Sequence, residues 1–244
     1  MDSGPPGFDR SFRVPGFRVS QFAAAEWPIL ASALIQNQIN KILQDQHHCS
    51  VMLTGGRNAV LLYQAWSELL LFQQLKDVSF YFGDERCVPP DDANSNYGMA
   101  MRSLFQRGVP ADCSVFRMEA DDPDLEAAAL RYGDALPAKL DVILLGVGED
   151  GHIASLFPGS AALHEKHRRV MSIIGPKPPH QRLTITPSVI AQAKYVFVLA
   201  AGAAKAAVLS DALQAPNDFD IMPARLVLNA TWLLDAELPE TMVY

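Results

Sequence analysis

Among the 244 residues, Gly146-Val147-Gly148-Glu149-Asp150-Gly151-His152 concentrates the side chains with which chemistry can be done. Three glycines in six positions allow the backbone to turn sharply and to approach a ligand closely. Histidine ordinarily titrates near neutrality, so a residue such as His152 can take a proton from water and return it. Asp150 is of the type that fixes an imidazole tautomer and stabilises its charged form, although nearness in sequence does not place two side chains in contact. The competing structural explanation is a histidine that opens a helix and is hydrogen-bonded in the core.

Three further segments carry groups suited to an anion. Gly55-Gly56 precedes a helical pattern, where free backbone N–H groups and the helix dipole favour negative charge. Arg57, Arg86 and Lys205 supply cations: a guanidinium matches phosphate bidentately, whereas a lysine acts as a point charge. Alone, a Gly-Gly turn is explained by chain reversal, and a lone basic residue by solvation at the surface. Placement on one common edge gives these residues a joint meaning. Two other clusters do not reach that standard. His47-His48-Cys49 lies at a helix-to-strand junction where adjacent residues point in different directions, so no metal is expected there. Asp121-Asp122-Pro123-Asp124 reads as a loop capping a helix.

The elements that must hold these groups alternate along the chain. Pro28 suits the first turn of a helix whose apolar face includes Ile35, Ile39, Ile42 and Leu43. Ser50 to Leu53 reads as a strand, followed by Leu62, Trp66, Leu69 and Leu70 at helical spacing. Val78 to Phe82 is a second strand, ended by Gly83, and a helix capped by Asn94 or Ser95 follows. Val115-Phe116 is a short strand and Asp124 to Ala135 a helix. Asp141 to Leu145 and Tyr195 to Ala201 are continuous apolar strands of the kind buried on both faces. Ala203 to Leu213 is helical, and Arg225 to Leu228 and Thr231 to Leu234 are weaker strand candidates. The pattern predicts an α/β protein with a mostly parallel sheet flanked by helices on both faces. Ligands of such sheets bind outside the carboxyl ends of the strands, where all the segments above are placed.

Composition limits the partners. The apolar fraction is 49%, and the net charge of −7 comes from 20 basic and 27 acidic residues. This argues against general affinity for nucleic acid or an anionic membrane, while allowing a few clustered cations to bind a small anion. Cys49, Cys87 and Cys113 are widely spaced without a CxxC pattern, so neither a disulfide framework nor structural zinc is expected, and a reduced, cytoplasmic location is. No secretory signal or 18-residue uncharged apolar run is evident. The Gly/Pro-rich N-terminal segment, residues 1–18, is expected to be poorly ordered and 19–244 to form a single domain, as a monomer or weak homodimer.

At these same residues the chain resembles the 6-phosphogluconolactonase family. Asp84-Glu85-Arg86-Cys87-Val88-Pro89 with Asn94-Ser95-Asn96-Tyr97-Gly98 is similar to one family signature, and Gly146 through Gly159, GVGEDGHIASLFPG, to its principal one. Lys177-Pro178-Pro179-His180-Gln181-Arg182-Leu183-Thr184 and Gly202 with Lys205 resemble later motifs in the expected order. The resemblance implies a Rossmann-like fold of the sugar-phosphate isomerase/lactonase type. It implies hydrolysis of 6-phosphoglucono-1,5-lactone to 6-phosphogluconate without metal or organic cofactor. It assigns water activation to His152, orientation to Asp150, and phosphate contact to Arg86 and Lys205 near Gly55-Gly56, with Arg182 a further ligand contact. One departure stands in the first loop: relatives resemble Gly-Gly-Ser-Thr-Pro, and here the chain reads Gly56-Arg57-Asn58-Ala59, so a charged Arg57 stands where a hydroxyl contact is missing.

The nearest alternative is the glucosamine-6-phosphate isomerase/deaminase type, which shares the fold but typically continues Ala-Phe-Asn-Glu-Pro after His-Ile. Here Ala154-Ser155-Leu156-Phe157-Pro158 lacks that glutamate, and Asp84-Glu85-Arg86 replaces Asp-Glu-Tyr. A sugar-phosphate-sensing regulator would need a DNA-binding module, for which the stretch before residue 50 is too short. No G-x-S-x-G nucleophile segment occurs, so a covalent acyl-enzyme is not expected.

Overall fold

The computed structural model describes residues 10–14, 17–214 and 218–235. In chain order its elements are β1 (Arg10–Val14), β2 (Phe17–Gln21), α1 (Trp27–Gln46), β3 (Cys49–Leu53), α2 (Arg57–Glu68), α3 (Leu70–Gln73), β4 (Val78–Phe82), β5 (Asp84–Arg86), α4 (Asn96–Ser103) and β6 (Ser114–Val115). They continue with α5 (Leu125–Ala135), β7 (Val142–Gly146), β8 (Val170–Ile174), β9 (Gln181–Ile185), α6 (Pro187–Ala191), β10 (Tyr195–Ala200), α7 (Ala203–Gln214) and β11 (Thr231–Leu234). Of the N-terminal segment 1–18, residues 1–9 and 15–16 lie outside the described residues.

The local chemistry of the helix ends follows the sequence. Ser95 caps α4 by accepting from the Gly98 N–H at 3.0 Å, and Asp124 caps α5 by accepting from Ala127 at 3.0 Å. Two expectations are corrected. The helix predicted to run through Leu70 breaks at Leu69, whose extended ψ of 127° separates α2 from α3. Arg225 to Leu228 is not a strand: Pro223–Val227 forms a 3-10 turn. Pro223 presets the φ of its first residue, and buried Ala224 and Val227, three apart, share one face as that geometry requires.

The main sheet has the order β1-β2-β11-β10-β7-β3-β4-β6. Only β1 pairs antiparallel; β2 through β6 in that order run parallel. One apolar core, with Ile35, Leu62 and Trp66, lies between one face and α1, α2 and α4. The other, with Tyr132, Leu209 and Leu183, lies beneath α5, α7 and a small antiparallel sheet ordered β5-β9-β8. Helices on both faces of a mostly parallel sheet are the architecture predicted. No helix of the described residues is long and apolar enough to cross a membrane.

The chain places β4 on one side of β3, then returns to place β7 on the other. The order therefore reverses between β3 and β7, and the loops leaving these two strands diverge to open a crevice. The Thr54 hydroxyl, after β3, accepts from the Gly146 N–H at the end of β7 at 3.1 Å, tying the crevice's two walls at its base.

Candidate active site

That crevice is a cleft of about 640 Å³ whose lining includes Gly55, Gly56, Arg57, Arg86, His152, Arg182 and Lys205. Every site residue predicted from sequence except Asp150 lines it, and Asp150 is joined to it through its contact with His152. Residues from four separate strand ends meet there, as the parallel topology requires.

The histidine loop is built by its own backbone. Gly148 N–H donates to His152 O at 2.8 Å, Gly151 N–H to Gly148 O at 3.1 Å, and Val147 bridges to the buried Ile153. Gly151 has φ +78°, a left-handed conformation that disfavours any side chain. At Gly148 a Cβ would run into both the His152 ring and the Asp150 carboxylate. This tight loop brings Asp150 Oδ1 into hydrogen-bond contact with His152 Nδ1. The imidazole also packs on Phe157, with centroids 4.6 Å apart. Burial by itself would raise the Asp150 pKa, but the hydrogen bond and charge of His152 outweigh it, helped by Lys177 with Nζ 3.9 Å from Oδ2. The carboxyl is thereby held below the usual range and stays ionised.

Cations approach from the other walls. Gly56, with φ +97°, stands at the N-cap of α2, so no side chain caps the first N–H groups of that helix, and both Gly56 and Arg57 line the cleft. Asn58, also in the lining, donates its Nδ2 to the Ala201 carbonyl at 3.0 Å, tying the first loop to the end of β10. Lys205 stands in the first turn of α7. Burial draws its pKa below the ordinary lysine range; Glu149 and Asp150 oppose that effect, and Arg57 and Lys177 add to it. Arg86 Nη1 donates to Asn94 O at 2.7 Å. Arg182 is only 6% exposed, and burial lowers its pKa as well. Among the described residues, Nε of Arg86 and Nε of Arg182 are both buried without a hydrogen-bond partner.

Sequence reading missed several participants. Glu85 is buried and receives the N–H groups of Arg86, Asn96 and Tyr97 at 2.7–2.8 Å, so it anchors the start of α4. Burial raises its pKa against those hydrogen bonds. Asp84, Asn96 and Lys177 line the cleft. All three sat inside quoted motifs, but only the fold reveals which way they face. His48, by contrast, sits within 3.2 Å of the Ser79 hydroxyl, away from the cleft.

Fold and cleft together define an α/β protein with a cation-lined cleft at the carboxyl edge of its parallel sheet. Residues 25–234 match the family of glucosamine-6-phosphate isomerases/6-phosphogluconolactonase, and the chain belongs to that family. A 6-phosphogluconolactonase of Mycobacterium tuberculosis is 36% identical over 204 residues, covering 77% of this chain and 82% of that protein. One from Homo sapiens is 40% identical over 167 residues, covering 63% and 64%. The solved structure of a 6-phosphogluconolactonase from Trypanosoma brucei superposes with a TM-score of 0.74 at 32% identity, covering 88% of this chain and 95% of that one.

Proposed function

We propose that this cleft hydrolyses 6-phospho-D-glucono-1,5-lactone to 6-phospho-D-gluconate, the lactonase step of the pentose phosphate pathway. The observation that carries the reading is the contact of Asp150 with His152, whose ring lines a cleft rich in cations. The relatives named above are 6-phosphogluconolactonases. The run Ala154-Ser155-Leu156-Phe157-Pro158 favours hydrolysis over the sugar-isomerising branch of the family.

An ionised Asp150 accepts hydrogen bonds only, so it takes the N–H of His152 Nδ1 and leaves Nε2 as the basic nitrogen. Nε2 removes a proton from water as the water oxygen bonds to lactone carbon C1. The carbonyl oxygen becomes an oxyanion, and Asp150 stabilises the imidazolium formed beside it. When the intermediate collapses, the C1–O5 bond breaks and O5 takes the proton back from Nε2. One water is consumed, and the new carboxylic acid ionises. A strained δ-lactone needs an oriented water, a base and oxyanion stabilisation, so the proposed reaction calls for neither metal nor organic cofactor. General-base assistance supplies about 10²–10⁴-fold.

Arg86, Lys205, Arg182 and Arg57, with the Gly55-Gly56 turn, hold the phosphate remote from C1, which converts binding energy into ring position. The acidic net charge fits a cytoplasmic enzyme without nucleic-acid or membrane partners, acting as a monomer or weak homodimer. The test is hydrolysis of the phosphorylated lactone measured against its spontaneous rate. Release of ammonia from glucosamine 6-phosphate in place of lactone hydrolysis would overturn the assignment.

A further inference from the structure

Asp84 is a carboxylate at the cleft that the hydrolysis above leaves without a task. It is 5% exposed, and both oxygens are engaged: Ser155 Oγ donates to Oδ2 at 2.6 Å and Asn96 Nδ2 to Oδ1 at 3.2 Å. The same Ser155 hydroxyl accepts from Arg182 Nη1 at 3.5 Å. One hydroxyl thus donates to the carboxylate and accepts from the guanidinium.

The 3.5 Å contact is long for an N–H···O bond, so charge must carry more of the coupling than this bond does. Arg182 is a buried cation, and its ladder neighbour Arg86 is a second cation that repels it. Burying a charge is costly unless opposite charge and hydrogen bonds compensate it. Asp84 heads the nearby charges that counter this penalty, ahead of Cys87 and Glu85. Glu85 is committed to the start of α4, as its three backbone partners show. Asp84 is therefore the carboxylate positioned to keep Arg182 at the cleft.

Resting on the lactonase reading for the identity of the anion, we infer that Asp84 is a positioning residue: by its charge and through Ser155 it holds the Arg182 guanidinium beside Arg86, set to receive the substrate phosphate. The sign of the effect separates this role from simple electrostatics. Removing a negative charge beside an anion site should tighten phosphate binding, whereas loss of a positioning group should weaken it.

The experiment measures inorganic phosphate binding by ³¹P NMR titration for the native chain, Asp84→Asn, Arg182→Met and the double variant. Each single change is expected to raise Kd roughly tenfold, and the double variant to match Arg182→Met, because Asp84 acts only through that side chain. Ser155→Ala, which keeps the charge and volume, gives a second arm if Asp84→Asn does not fold; it should weaken binding severalfold, and that effect too should vanish in the Arg182→Met background. Tighter or unchanged binding in Asp84→Asn, or losses that multiply in the double variant, would overturn the inference. A native chain that hydrolyses the lactone but binds no phosphate would sink this inference alone. One that binds phosphate with the predicted coupling but hydrolyses no lactone would sink the proposed function and leave the positioning role standing.

Discussion

Arg86 and Arg182 stand directly opposite each other across the antiparallel ladder of β5 and β9. Directly opposed residues in such a ladder share a face, with Cβ atoms about 5 Å apart, and like charges there are destabilising by up to about 1 kcal/mol. A folded chain keeps such a pair at low cost when each cation has other partners, here Asn94 O for Arg86 and Lys177 O for Arg182. Both side chains line the cleft, where an anion can meet them. An anion between them turns the repulsion into charge-assisted hydrogen bonds.

Phosphate should accordingly stabilise the protein. At 100 times its Kd, a ligand bound only by the folded state adds about 2.7 kcal/mol, which for a chain of this size raises Tm by roughly 5–10 °C. Differential scanning calorimetry in rising phosphate should show that increase, and Arg86→Ala should lose most of it. An equal rise in the variant would remove Arg86 from the anion site.

The pH dependence of substrate affinity has a definite sign. Burial makes Lys205 give up its proton at a pH below the usual lysine range, so the cation is present at neutral pH and disappears as pH rises through that lowered pKa. KM for the phosphorylated lactone should therefore be flat through neutrality and climb on the alkaline side, earlier than an ordinary lysine would cause. Lys205→Arg should push the climb to higher pH, since guanidinium keeps its charge there. Initial rates across the alkaline range test this, and identical profiles for native and variant enzyme would refute it.

Gly55→Ala should destabilise the protein. The added methyl would fall on the Asn96 side chain, 2.6 Å from its Cγ and closer still to Oδ1. Asn96 is 1% exposed and its Nδ2 donates to the Asp84 carbonyl at 2.8 Å, so it cannot move aside freely. Overpacking of this kind costs about 1–3 kcal/mol. A urea melt should show the midpoint falling, and an unchanged midpoint would mean that Asn96 yields without loss.

What was legible in the sequence divides along physical lines. β3, β4, β7 and β10 announced themselves because strands buried on both faces must be continuously apolar, and their glycine-rich exits marked the ligand edge. The sheet β5-β9-β8 did not: Asp84-Glu85-Arg86 is short and charged, and it pairs with residues nearly one hundred positions away. The pairing of β2 with β11 was hidden for the same reason of sequence distance. Within the site, His152, Arg86 and Lys205 were visible because their positions relative to strand ends place them. The contact of Asp84 with Ser155 and the approach of Lys177 to Asp150 come from tertiary packing, which local pattern does not encode.

The proposed hydrolysis depends most heavily on His152 as the base that activates water. Lactone hydrolysis should be followed for native protein and His152→Ala, with the spontaneous rate subtracted and phosphate binding measured on both. The variant's kcat should be lower by about 10²–10⁴-fold, with phosphate affinity little changed. Native-like kcat in His152→Ala would contradict it.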